Sequence, residues 1–243
     1  MVPTFRHRRA FWRAKESGRP CEDVVLWCPR EGRFALSDGA SISYDSRGWA
    51  RCLCRTFIRN TNFGADWLDV ARTRFSDTFR PPENDWAAAH GWDRGSFATF
   101  LGFTLTRERL VTHGVGDTIL FLVSEDKIRI WPEMGEHDFT SSPALLCSHP
   151  GRSAFDDTEI AFEKATHHFV APAGGWPAGT RLIVATDALA EWVIRALSHE
   201  DRLSRLNLIS CHTDHAAFAS WVSEAISGGE VRRDDCAIVV VEL

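Results

Sequence analysis

The chain has 243 residues, 44% of them hydrophobic, 25% charged and 11% aromatic, and its 33 acidic against 28 basic side chains give a net charge of −5. That composition excludes a disordered or fibrous chain, and the acidic balance argues against nonspecific nucleic-acid binding as the main activity. No apolar run approaches the roughly 18 residues of a membrane span, and the opening residues lack the apolar stretch of a secretory signal, so a cytoplasmic protein is expected, with neither membrane nor nucleic acid as partner.

A single domain over 1–243 is expected, with the Arg-rich residues 1–14 as a solvated arm. DVVLW (23–27) and RFALS (33–37) read as strands separated by the turn-like CPREG. SRGWARCLCRTFIRN (46–60) reads as a helix because Trp49, Leu53 and Phe57 recur every fourth residue, and a second helix follows over 64–79. SFATFLGFTLT (96–106), RLVTHGV (109–115), TILFLVS (118–124) and KIRIW (127–131) stand at hairpin spacing and suggest an antiparallel meander. Residues 132–178, rich in Pro, Gly, Ser and His, read as a variable lid or insertion. RLIVAT (181–186) and CAIVVVEL (236–243) are apolar enough to be central strands, with helices over 188–197 and 214–227 between them. Asp214 fits the N-cap of the last helix better than it fits a zinc cluster with Cys211, His212 and His215. Strands that pair in sequence, with helices in two clusters, predict an α/β chain: an α-β-β-α sandwich of two antiparallel sheets flanked by helices.

Acidic residues sit where these apolar strands begin and end. Glu22 and Asp23 lead into VVLW, Asp38 ends RFALS, Asp117 stands between two strands, Asp187 ends RLIVAT, and Asp234 and Asp235 open the last strand. Removing carboxylates from water beside apolar strands is costly, and several can converge only if something cationic offsets their repulsion. Carboxylate and carbonyl oxygens are hard ligands, which suit Mg2+ or Mn2+.

In this order, the segments CEDVVLW, FALSDGAS, SFATFLGFTL, VGDTILFLV, RLIVATDALAEW and DDCAIVVV resemble the motifs of the type 2C, metal-dependent serine/threonine protein phosphatases, of the bacterial type, from about residue 15 to 243. The resemblance implies a binuclear Mg2+ or Mn2+ site. Asp38 would bridge the two ions, with the Gly39 carbonyl and Glu22 on one and Asp187 and Asp234 on the other, and Asp117 with Asp187 would hold a third. It also implies a metal-bridging hydroxide that attacks phosphorus in line, with Asp38, Asp187 and Asp234 as the catalytic carboxylates. The implied partner is a phosphorylated protein: a cognate serine/threonine kinase or its substrates. The family's phosphate-binding arginine aligns with Gly18, so Arg19, one position along, and Lys15 are the candidates for that role. Ala40 and Ser41 occupy the region where eukaryotic members carry a histidine, and Ala188 stands for the glycine after Asp187. A phosphoprotein-binding pseudophosphatase without turnover is therefore the alternative reading. Asp235 aligns with an asparagine of the family, so Asp235→Asn is expected to be mild and Asp234→Asn damaging.

Overall fold

In a computed structural model the described residues are 5–60, 62–82, 84–153, 162, 166–174 and 176–243. Two five-stranded antiparallel sheets stack face to face. One runs β1 (His7–Arg13), β12 (Cys236–Glu242), β11 (Arg181–Ala185), β7 (Ile119–Ser124), β8 (Lys127–Trp131). The other runs β10 (His167–Pro172), β6 (Arg109–Val115), β5 (Phe100–Leu105), β3 (Arg33–Ser37), β2 (Val24–Cys28). A short ladder joins β4 (Phe97–Ala98) to β9 (Leu146–Cys147).

Period-two alternation explains the layers. Along β7, Leu120 and Leu122 point between the sheets, where they meet Leu182 and Val184 of β11, Phe34 and Leu36 of β3, and Phe103 of β5. Ile119, Phe121 and Val123 point the other way, onto α4 (Asp187–Ile194), α5 (His199–Cys211) and α6 (His215–Ser227). The outer face of the second sheet is covered by α1 (Ser46–Arg59) and α2 (Ala65–Phe79), with Trp49, Leu53 and Phe57 of α1 fully buried against Ala35 and Phe100. Asp45 starts α1 by accepting the Gly48 N–H at 2.9 Å. Asp214 caps α6 in the same way, from the Ala217 N–H at 2.8 Å. The expected sandwich is the observed one.

Three local expectations change. Residues 7–13 are a strand, not a solvated arm: all of β1 pairs with β12, from His7 opposite Glu242 to Arg13 opposite Cys236. Phe11 stacks on Phe218, while the guanidinium groups of Arg9 and Arg13 reach the His212 carbonyl and the Ser223 hydroxyl. Burial of the one aromatic ring and the arginine stems outweighs the run of charge. The meander splits, because β5–β6 and β7–β8 pair but β6 and β7 lie in different sheets. The chain crosses between sheets at Gly116, whose φ of +95° and whose approach to Thr99, 2.7 Å from where a Cβ would stand, leave room only for glycine. Finally, the stretch 132–178 is partly woven into the sandwich through β9 and β10, with Phe139, Leu146 and Cys147 buried. Its residues 154–161, 163–165 and 175 lie outside the described ones. The helix α3 (Trp86–Arg94) went unexpected because it buries no residue and so shows no apolar period.

Candidate active site

Antiparallel pairing brings strand ends of opposite sense to one edge. Ser37 at the end of β3 faces Val24 at the start of β2, and Ala185 at the end of β11 faces Ile119 of β7 and Ile238 of β12. The acidic residues flanking these strands therefore converge. Asp38, Asp117, Asp187 and Asp234 line one cavity of about 340 Å3, whose far wall is Phe139 to Pro143 from the 132–178 stretch. Asp117 sits at the crossover between sheets, so the split of the expected meander is what carries it there.

Burial, then the charges of Asp187 and Asp117, hold the Asp38 carboxyl well above the usual carboxylate range. Burial and Asp187 push Asp117 up to about 7, and its Oδ1 is buried with no donor facing it. Asp187, the first residue of α4, accepts the Ala188 N–H at 2.6 Å. Ala188 is ordinary helix, so its Cβ meets no turn there. Gly39 does need to be glycine: a Cβ would stand 2.8 Å from the Ser46 backbone at the start of α1. That close approach leaves the Gly39 carbonyl beside Asp38 at the cavity wall.

Sequence reasoning singled out Glu22 and passed over its neighbour. Asp23 is deeply buried behind Asp38, accepts from the Thr186 hydroxyl at 3.0 Å, and has no N–H or O–H aimed at its Oδ1. Burial, then the charges of Asp38, Asp235 and Asp187, drive its carboxyl well above the usual range. Glu22 faces an adjoining cavity of about 360 Å3 with Lys15, Arg19, Ser46 and Asp235. It accepts from the Ser41 hydroxyl at 2.5 Å, the Ser46 hydroxyl at 2.7 Å and the Lys15 ammonium at 3.1 Å. Burial works against its charge, but these donors prevail and hold it below the usual range. The Lys15 ammonium also meets the Ser41 hydroxyl and lies 3.9 Å from Asp234, at the border of the two cavities. Arg19 instead pairs with Glu16, its side chain 77% exposed.

Asp234 and Asp235 face different cavities. Asp235 accepts the Lys15 N–H at 2.6 Å and the Glu22 N–H at 2.5 Å, one on each oxygen, and so holds the segment that carries both. An asparagine there would turn its NH2 on one of those N–H groups. Asp235→Asn is therefore expected to lower stability by about 1–3 kcal/mol, a cost separate from the mild effect on activity and metal affinity anticipated from sequence. Urea unfolding checks this, and a loss under 0.5 kcal/mol would sink it.

Another residue passed over is Arg232. Its Nη2 hydrogen-bonds Asp187 Oδ2 and lies 3.7 Å from Asp234 Oδ2, while Nη1 is 3.4 Å from Glu191 Oε2. Glu191, one helical turn beyond Asp187, is buried and also pairs with Arg195 at 2.6 Å. The i, i+4 spacing of Asp187 and Glu191 was legible; which of Arg232 and Arg233 turns back onto it was not.

Structures with this architecture are known. A Stp1 serine/threonine phosphatase from Staphylococcus aureus superimposes with a TM-score of 0.64 at 11% identity, covering 100% of this chain and 96% of that one. PppA, described as a key regulatory component of T6SS in Pseudomonas aeruginosa, gives 0.63 at 14% over 99% and 98%. The catalytic domain of the serine threonine protein phosphatase PstP, in complex with two manganese ions, gives 0.62 at 15% over 97% of each chain. This is the type 2C phosphatase fold. No family model and no curated protein matches the sequence.

The type 2C fold implies divalent ions, and the donor chemistry fits them. The cavity offers hard oxygens that burial has left short of partners, with an unpartnered Asp117 Oδ1 among them. Among the described residues, however, no three His, Cys, Asp or Glu side chains stand close enough together to grip an ion as they are. No helix of the described residues is long and apolar enough to cross a membrane.

Proposed function

We propose that the chain hydrolyses phosphoserine and phosphothreonine in proteins in a metal-dependent reaction. The observation that supports this reading is the gathering of Asp38, Asp117, Asp187 and Asp234 in one open cavity, at the edge where the two sheets of a type 2C fold meet. Mg2+ or Mn2+, held by Asp38, the Gly39 carbonyl, Asp187 and Asp234, with Asp117 for a third ion, would supply charge to the phosphoryl oxygens and acidify a water.

The chain's own residues would do the rest. Lys15, at the border of the two cavities, is better placed than Arg19 to meet a phosphate dianion entering beside Ser41. Glu22 positions Lys15 and Ser41 beside the cavity and would be a further carboxylate for the ion on the Gly39 side. The substrate we propose is a phosphorylated protein, either a cognate kinase or that kinase's targets.

Hydrolysis of p-nitrophenyl phosphate and of a phosphothreonine peptide, each with Mn2+, Mg2+ or EDTA, tests the reading. Turnover of both substrates that appears with metal and vanishes in EDTA is the expected result; no turnover under any condition overturns it. The Arg232 guanidinium, lodged between two of the carboxylates, favours a second reading, a phosphoprotein-binding module without turnover. Phosphopeptide binding in the absence of hydrolysis would select it.

A further inference from the structure

We propose that Arg232 is a built-in cation of the carboxylate cavity, and that a divalent ion enters only by displacing its guanidinium, so that this exchange sets the metal affinity. The inference rests on the metal-binding reading of Asp187 and Asp234 and goes beyond it. Asp187 Oδ2 accepts from Arg232 Nη2, and Asp234 Oδ2 lies 3.7 Å from the same nitrogen. A guanidinium and a divalent ion cannot share these oxygens without bringing like charges into contact. One or the other holds them.

The surroundings make the exchange feasible. Arg232 is half-buried, on the short segment between α6 and β12 that also contains Gly229 at a φ of +75°, so its side chain has solvent to move into. Its other anchor, Glu191, keeps a partner when Arg232 leaves, because the Arg195 guanidinium holds Glu191 Oε1 at 2.6 Å. Asp187 has no such reserve of charge within the cavity. Asp187 would keep only the Ala188 N–H at 2.6 Å, whereas Asp234 would keep the Asp235 N–H at 2.9 Å and the Lys15 ammonium at 3.9 Å. Departure of Arg232 is tolerable at Glu191 and costly at Asp187, the more buried of the two aspartates, unless another cation arrives. Arg232 thus neutralises the cavity in the metal-free protein and competes with whatever ion is to replace it.

The test is Mn2+ binding by calorimetry to the metal-free full-length chain, comparing wild type with Arg232→Gln, and with Arg233→Gln as a control that removes the same charge one residue away. Arg232→Gln is expected to bind Mn2+ at least tenfold more tightly than wild type while its metal-free form melts at a lower temperature; Arg233→Gln is expected to change affinity less than twofold. Equal or weaker binding by Arg232→Gln, no binding by any variant, or equal tightening by Arg233→Gln overturns the proposal. Binding by Arg232→Gln with none by wild type upholds it and counts instead against the wild-type chain as a metal-dependent enzyme. Should the variant not fold, phenylglyoxal labelling of Arg232 in the wild-type chain, followed by mass spectrometry, gives the same answer. Labelling is expected to speed up several-fold with Mn2+, and unchanged or slower labelling overturns the exchange.

Discussion

Asp38→Asn is expected to lower phosphoesterase turnover at least about a thousandfold while the metal-free protein melts at or above the wild-type temperature. The two halves of that result come from the same physics. The Asp38 carboxylate lies in a cavity where burial and the charges of Asp187 and Asp117 already oppose its ionisation. An amide of the same shape has no ionisation for burial and those neighbours to oppose, so the metal-free fold gains. In the loaded site, the proposed bridging ligand is lost, and with it several kcal/mol of charge stabilisation in the transition state; about 4 kcal/mol corresponds to a thousandfold in rate. Asp38→Ala should abolish turnover equally. Activity against p-nitrophenyl phosphate at saturating Mn2+, read beside a melting curve, checks both halves. Turnover above a tenth of wild type would remove Asp38 from the centre of the reaction, and a melting temperature lowered by more than 5 °C would make it a structural residue.

The largest stability effect is expected at Trp49. Its side chain is fully buried in the α1–α2 layer, packs edge-on to Phe75 with ring centres 5.5 Å apart, and donates its indole N–H to the Leu146 carbonyl at 2.8 Å. Trp49→Ala leaves a cavity costing about 3–5 kcal/mol and a carbonyl without its donor, costing about 1 kcal/mol or more. Against a total stability of about 5–15 kcal/mol, that is a large share, and it corresponds to a fall in melting temperature of roughly 10–20 °C. Trp49→Phe keeps much of the packing and loses the hydrogen bond, so about 1–2 kcal/mol is expected. Urea unfolding of both variants checks the pair. A loss below about 2 kcal/mol for Trp49→Ala would mean that α1 does not anchor the segment around Leu146.

The parts of the fold that could be read from sequence are those where one physical signal dominates. β3, β11 and β12 are apolar on both faces because each lies between the other sheet and a helix layer, and α1 repeats its large residues every fourth position. β1 was hidden because its inward-facing set is Arg9, Phe11 and Arg13: two of three positions carry charge, and only the tertiary partners His212 and Ser223 make that tolerable. The crossover at Gly116 was hidden for the opposite reason. Hairpin spacing is the same whether the next strand stays in the sheet or changes sheet, and only the close approach to Thr99 decides. At the cavity, acidic residues at strand ends were visible, but sequence cannot tell which of two adjacent carboxylates lies deeper. Glu22 and Asp23 differ by one residue, and alternation sends the second behind Asp38. Arg232 was beyond reach because its role depends on where a glycine-containing turn points its side chain.

The grip of Asp235 on the backbone of Lys15 and Glu22 also fixes the order of events when the protein is made. Those contacts span 220 and 213 residues, and β1 can pair only once β12 exists. Closing so long a loop costs about 3 kcal/mol more than closing a hairpin, which delays these contacts relative to β2–β3 or β5–β6. A nascent chain can therefore assemble the α1–α2 half of the sandwich, with Asp38 at its edge and Glu22 on the Ser41 and Ser46 hydroxyls, before Asp235 clamps the backbone of Lys15 and Glu22. The side of the cavity that would receive a phosphate takes shape last, when the residues around Asp235 arrive, so partly synthesised chains carry the scaffold without a formed phosphate-receiving side.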